Sequence, residues 1–126
     1  MEKIGEFTAF CPYASGYPFE VMISSIKNTG ELGTLSRDYL ETAAALLVST
    51  LRRLKRQLGK FDFNLSVSTP PLIENEGVSS AQLCRLTIRI MPRLYYHGGF
   101  ESSSGIMINP VAPELAAKLL RESVHE

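Results

Sequence analysis

Residues 36–68 read SRDYLETAAALLVSTLRRLKRQLGKFDFNLSVS, and inside this stretch the spacing of apolar residues changes from helical to extended. Leu40, Ala44, Leu47, Leu51, Leu54 and Leu58 recur at alternating four- and three-residue steps, which places them on one stripe of a helix. Ser36 is placed to cap the first turn, and Asp38 suits the positive end of the helix dipole. Arg52, Arg53, Lys55 and Arg56 crowd the last turns, where cations are favoured, and Gly59 supplies the stop. Beyond Gly59 the period drops to two: Phe61, Phe63, Leu65 and Val67 face one way, and Asp62, Asn64, Ser66 and Ser68 the other. Thr69-Pro70-Pro71 ends that strand, because proline has no N–H to give to a ladder.

Outward from this helix–strand unit, Thr8–Cys11 reads as a short strand stopped by Pro12. Pro18–Ser24 alternates, with Phe19, Val21 and Ile23 inward and Glu20, Met22 and Ser24 outward. Asn28, Gly30 and Gly33 mark a loop. After a polar loop, Ile73 to Gln82, a strand over Leu83–Met91 turns Leu86, Ile88 and Ile90 to one face and Arg85, Thr87 and Arg89 to the other, with Pro92 as its stop. A loop from Tyr95 to Ser104, a short strand over Ile106–Asn109 and a helix opening at Pro113 complete the order. That last helix is expected to carry Leu115, Leu119 and Leu120 inward. The pattern predicts an α+β fold: an antiparallel sheet with one long and one short helix packed on one face. The opposite face would display Glu20, Met22, Asn64, Ser66, Ser68, Arg85, Thr87 and Arg89, and a ligand would lie there.

The length, 126 residues, suits a single domain over 1–126, and 44% hydrophobic with 21% charged residues places the chain among folded proteins. Thirteen basic and thirteen acidic side chains cancel, so no net field draws the chain to nucleic acid or to an anionic membrane. The basic run at 52–56 is read as a solvated helix end. No apolar run approaches membrane-spanning length and Met1–Phe10 lacks a signal pattern, so the expected location is cytoplasmic. Cys11 and Cys84 are too few and too far apart for a disulfide framework and read as buried thiols.

Several stretches together resemble one enzyme family. AFCPYAS at 9–15 followed by YPFEV at 17–21 is similar to the opening of the C-terminal domain of galactose-1-phosphate uridylyltransferases. IRIMPRL at 88–94 resembles the family strand that ends in Pro-Arg-Leu. Gly99-Phe100-Glu101, then Ser103, Gly105 and Ile108-Asn109, resembles its Gly-Phe-Glu, Gly-Thr-Gly and Ile-Asn stretch, and APELAAKLLR at 112–121 its closing helix. The resemblance runs over nearly the whole chain and implies the histidine-triad-like fold. It also implies a homodimer, or a partner in an N-terminal half, and a nucleotide sugar or sugar phosphate as ligand.

The departures bear on chemistry. Where the family carries His-x-His before Pro-Arg-Leu, this chain has Arg85 and Thr87; where it has Lys-Arg-His, Ile26-Lys27-Asn28; where it has histidine before Ala-Pro, Ser68. Nucleotidyl transfer through a covalent intermediate needs an unprotonated imidazole as nucleophile. The chain owns only His97, in a Tyr-Tyr-His-Gly-Gly loop where it is expected to be exposed, and His125 beside the C-terminus. No phosphate-binding glycine loop, Gly-x-Ser-x-Gly or His-Glu-x-x-His occurs, and no metal or cofactor is expected. The first reading is therefore a degenerate domain without catalytic residues of its own, serving in dimerisation and in binding; the alternatives are a fragment or subunit of an active sugar-phosphate nucleotidylyltransferase whose catalytic histidine lies in a separate N-terminal half, and a pure scaffold subunit. The expected binding residues are Phe100 and Glu101, for a sugar face and its hydroxyls, Arg85 and Arg89, for a phosphate, and Asn64 and Ser68 beside them.

Overall fold

A computed structural model describes residues 1–68, 70–71 and 83–123. Its elements are β1 (Glu2–Ile4), β2 (Phe7–Phe10), β3 (Val21–Ser25), a 3-10 turn (Leu32–Thr34), α1 (Arg37–Leu58), β4 (Asp62–Ser68), β5 (Thr87–Arg93), α2 (Gly99–Ser104) and α3 (Pro113–Glu122). The strands form one antiparallel sheet in the order β1-β2-β3-β5-β4. The expected α+β class and antiparallel sheet are borne out.

One face of this sheet is the core. Phe7, Ala9, Val21, Ile23, Ile88 and Ile90 project from it against Ala43, Leu46 and Leu54 of α1 and Ala116 and Leu120 of α3. Each large side chain of this set contributes roughly 1.5–3 kcal/mol by leaving water. The ends of α1 follow the sequence: Ser36 Oγ accepts from the Tyr39 N–H at 3.4 Å, and Gly59 takes the left-handed φ of 72° that ends the helix.

The inward face of α1 is rotated from the expected stripe. The fully buried row is Ala43, Leu46, Thr50 and Leu54, while Leu40 and Ala44 are exposed and Leu47, Leu51 and Leu58 flank the row half-buried. A polar residue, Thr50, at the centre of that row hides it from a hydrophobic pattern. In α3, Ala116 and Leu120 are buried and Leu119 packs at the margin, but Leu115 points to water. The basic run is not wholly solvated either. Arg53 donates to Glu2 Oε2 at 3.0 Å and to the Leu120 carbonyl at 3.1 Å, so it ties β1 and the end of α3 to α1.

Several boundaries differ from expectation, each for a physical reason. Strand β1 escaped the pattern because it is short and is joined to β2 through a two-residue turn in which Gly5 has φ 52°. Strand β3 starts at Val21, not Pro18, because Phe19 holds φ 57°, which no strand tolerates. Strand β5 starts at Thr87, not Leu83: the Leu86 N–H goes to Ser25 Oγ and Thr29 Oγ1, and Cys84 O takes the Thr29 and Gly30 N–H groups. It also runs through Pro92 to Arg93. Its pairing with β3 ends at Ile90, so Pro92 has a strand on one side only and its missing N–H costs no ladder bond. The expected loop at 95–104 contains helix α2, and the expected strand at Ile106–Asn109 is not paired into the sheet. The loop Ile73 to Gln82 and His125 lie outside the described residues.

Thr50 Oγ1 is buried without a hydrogen-bond partner among the described residues. Removing that hydroxyl while keeping the shape relieves its desolvation cost. Thr50→Val is expected to stabilise the protein by about 1 kcal/mol, read as a rise of a few degrees in melting temperature; a fall would show that the hydroxyl is satisfied.

Candidate functional site

The open face of the sheet is organised by a carboxylate. Glu20 has the same parity as Met22 and Ser24 and was expected to lie exposed on this face, yet it is 1% exposed. The left-handed turn at Phe19 folds residues 12–17 over it. Glu20 Oε2 accepts from the Gly16 N–H at 2.9 Å and the Tyr17 N–H at 3.2 Å, and Oε1 accepts from Arg89 Nε. The same bond raises the Arg89 guanidinium above its ordinary value, so Arg89 stays charged. A second clamp holds this loop from the other side: Asn109 Nδ2 donates to Ser15 O at 3.2 Å and Ser15 Oγ at 3.1 Å, while its Oδ1 accepts from the Val111 N–H. Gly16 lies so close to Met107 that a Cβ there would come within 3.3 Å of that side chain.

Strand pairing decides which expected site residues meet. On β4 and β5, Ser66 stands opposite Arg89, Ser68 opposite Thr87 and Asn64 opposite Met91. Arg89, Asn64 and Ser68 therefore share one surface. Arg85 does not join Arg89 on a strand; it is exposed and lies before β5 begins. Phe100 and Glu101 follow β5 in the chain, on α2, whereas Arg85 precedes it. Phe100 is 54% exposed. Glu101 Oε2 accepts from the Gly98 N–H at 3.1 Å, so this carboxylate caps α2.

Between Arg89 and α2 lies an aromatic group that sequence reasoning missed. The His97 ring sits 5.8 Å from Tyr17 and 6.2 Å from Tyr95. Tyr95 donates its hydroxyl to the Ile108 carbonyl. Loss of water, and then the nearby Glu101 and Tyr17, raise its phenol above the ordinary value, which keeps it a donor. His97 is exposed, as expected, but it lies against these rings. Only the Tyr95-Tyr96-His97 and Tyr17-Pro18 stretches hinted at this group.

Cys11 is half-buried, and burial pushes its thiol up to about 11, which leaves it a poor nucleophile. Cys84 is likewise a half-buried thiol. Among the described residues no cluster of His, Cys, Asp or Glu is placed to hold a metal ion, and no helix is long and apolar enough to cross a membrane.

No family model matches the chain. ADP-glucose phosphorylase of Arabidopsis thaliana is 31% identical over 122 residues, 97% of this chain. The chain spans 34% of that relative's length. A crystal structure of an ADP-glucose phosphorylase from the same plant, with ADP-glucose bound, matches 95% of this chain and 38% of its own at a TM-score of 0.86 and 31% identity. A GALT-like protein of Arabidopsis thaliana matches 99% of this chain and 41% of its own at a TM-score of 0.89 and 30% identity. A Hit-like protein from Bartonella henselae, 14% identical with a TM-score of 0.64 over 98% of this chain, shares the fold. The histidine-triad-like fold and the relationship read from the residues are borne out.

Glu20 is buried with an opposite charge and two backbone donors, so its loss leaves three groups unmet. Glu20→Ala, which removes both acceptor oxygens, is expected to lower stability by about 3 kcal/mol and to strip hydrogen-exchange protection from the Gly16 and Tyr17 amides; an unchanged melting curve would contradict the clamp.

Proposed function

We propose that this galactose-1-phosphate uridylyltransferase-like domain binds a nucleotide sugar or sugar phosphate without transforming it, and that it works paired with a second copy or a catalytic half. The observation that carries this reading is the supply of imidazole. The sequence holds two histidines, and at the positions where the family resemblance expects His-x-His it has Arg85 and Thr87. His97 lies against Tyr17 and Tyr95 instead of on a strand, and Cys11 is held as a thiol. Covalent nucleotidyl transfer requires a free base that also leaves well, which arginine, threonine and serine do not provide at neutral pH.

Binding has better support. Arg89 is fixed in position and charged, and Ser66, Asn64 and Ser68 add hydroxyl and amide groups beside it. Phe100 offers an exposed ring, and Glu101 retains Oε1 for a sugar hydroxyl while Oε2 caps α2. A relative of 31% identity has been crystallised with ADP-glucose bound. A second reading, part of an active nucleotidylyltransferase or phosphorylase with its catalytic histidine in a separate half, is favoured by the 34% of the relative's length that the chain spans.

Thermal melting with ADP-glucose and UDP-glucose tests the binding reading. Ligand at a hundredfold excess over its dissociation constant stabilises by about 2.7 kcal/mol, a shift of several degrees. Phe100→Ala, which leaves the α2 cap in place, is expected to reduce the shift, and Glu101→Ala to abolish it. No shift at millimolar ligand would leave a scaffold role. Release of hexose-1-phosphate by the purified chain would overturn the non-catalytic reading.

A further inference from the structure

A groove of about 670 Å³ runs along α1 beside β1, in the helical layer and away from the open face of the sheet. Its charges do not balance. The two carboxylates that line it are both engaged. Glu2 Oε2 accepts from Arg53 Nε at 3.0 Å and from the Ser49 hydroxyl at 2.7 Å, and Glu41 Oε1 accepts from Arg37 at 2.8 Å. Arg52 and Arg56 line the same groove, are exposed, and have no carboxylate partner among the described residues. Arg56 makes one long bond, 3.5 Å, to the Ser123 carbonyl. The two stand four residues apart, about 6 Å along the helix, which is inside a Debye length of about 8 Å at physiological salt. Like charges at this spacing destabilise a helix. The helix dipole accounts for Arg56, which is in the last turn, but it fades before Arg52. Arg53 is held by Glu2 and by the Leu120 and Arg121 carbonyls, and these bonds leave its Nη2 group uncommitted.

We propose that this groove binds a soluble diphosphate anion, gripped between the Arg52 and Arg56 guanidinium groups with Arg53 Nη2 as a further donor. A guanidinium presents paired N–H groups that match two oxygens of one phosphate. Two such forks one helical turn apart match two linked phosphates, whereas a single phosphate fills one fork. The anion also replaces the repulsion between two cations with two attractions. The remaining wall is Ala44, Ala45 and Val48, which leave room above the helix and offer no long apolar side chain to enter a bilayer. A soluble anion therefore suits the groove better than a lipid headgroup. A nucleotide sugar has its diphosphate esterified at both ends, so it carries less charge and more bulk than a free or terminal diphosphate. The groove shares no residue with the open face, and the proposal does not depend on what binds there.

Calorimetric titration with inorganic pyrophosphate, followed by amide chemical-shift mapping of the same sample, tests it. Pyrophosphate is expected to bind and to perturb amides within residues 45–56, and inorganic phosphate to bind about tenfold more weakly or less. Arg52→Gln and Arg56→Gln are each expected to weaken pyrophosphate binding about tenfold or more, and Arg52→Lys to recover only part of the loss, because an ammonium cannot fork. Lys118→Gln removes the same charge from an exposed site on α3 and is expected to change nothing. The substituted side chains are exposed, and a melting curve for each variant verifies that it folds. No heat at millimolar pyrophosphate, perturbation within residues 87–91 and none on α1, or an equal loss in Lys118→Gln would each overturn the proposal. So would binding to phosphatidic acid vesicles without binding to free pyrophosphate.

Discussion

A carboxylate removed from water survives in a protein only when its oxygens are filled. Glu20 meets that demand with Arg89 and the Gly16 and Tyr17 amides, and much of the open face follows from it. The bond to Arg89 crosses from the residue before β3 to the middle of β5, so the guanidinium has a fixed place on the sheet. The two backbone bonds fold residues 12–17 down as a cover. Phe19 reaches φ 57°, a conformation that costs a bulky residue of order 1–3 kcal/mol, and that turn delivers Glu20 to its donors. Asn109 then anchors the same loop to the segment before α3, which brings the Tyr17, Tyr95 and His97 rings together.

The helical layer sets the rest. Helix α1 covers β1 to β3, and α3 closes over its flank, where Arg53 and Glu2 bind the layers together. The consequence is an uneven sheet. Its middle is sealed on the core side, its polar side carries Arg89, and its last strand has an apolar face with little cover. A surface that holds one fixed cation among hydroxyls is suited to recognition. The proposals of ligand binding and of pairing thus rest on different parts of the same molecule.

Much of this architecture was legible in the sequence where local chemistry and tertiary structure agree. Ser36 and Gly59 bracket α1 because capping is local, and the alternation of β4 and β5 survives because each strand has one polar side. The reading failed where a side chain is recruited from far along the chain. Thr50 in the buried row of α1 has no pattern to announce it. The burial of Glu20 depends on Arg89, sixty-nine residues away. Pro92 fits within β5 because β3 ends beside it, a fact of sheet topology and not of composition. Of the residues expected at the site, Arg89, Asn64 and Ser68 share one surface of β4 and β5, whereas Arg85 precedes β5 and the Phe100–Glu101 pair follows it on α2, a grouping set by strand pairing and not by sequence spacing.

The central claim is that the face ordered by Glu20 and Arg89 is a ligand platform. Amide chemical-shift mapping during titration with ADP-glucose addresses it most directly. The account predicts that the perturbed amides trace Ser66, Thr87–Met91 and Gly98–Glu101. Perturbation confined to the outer face of α1, from Ala44 to Arg56, or none at saturating ligand, would contradict it.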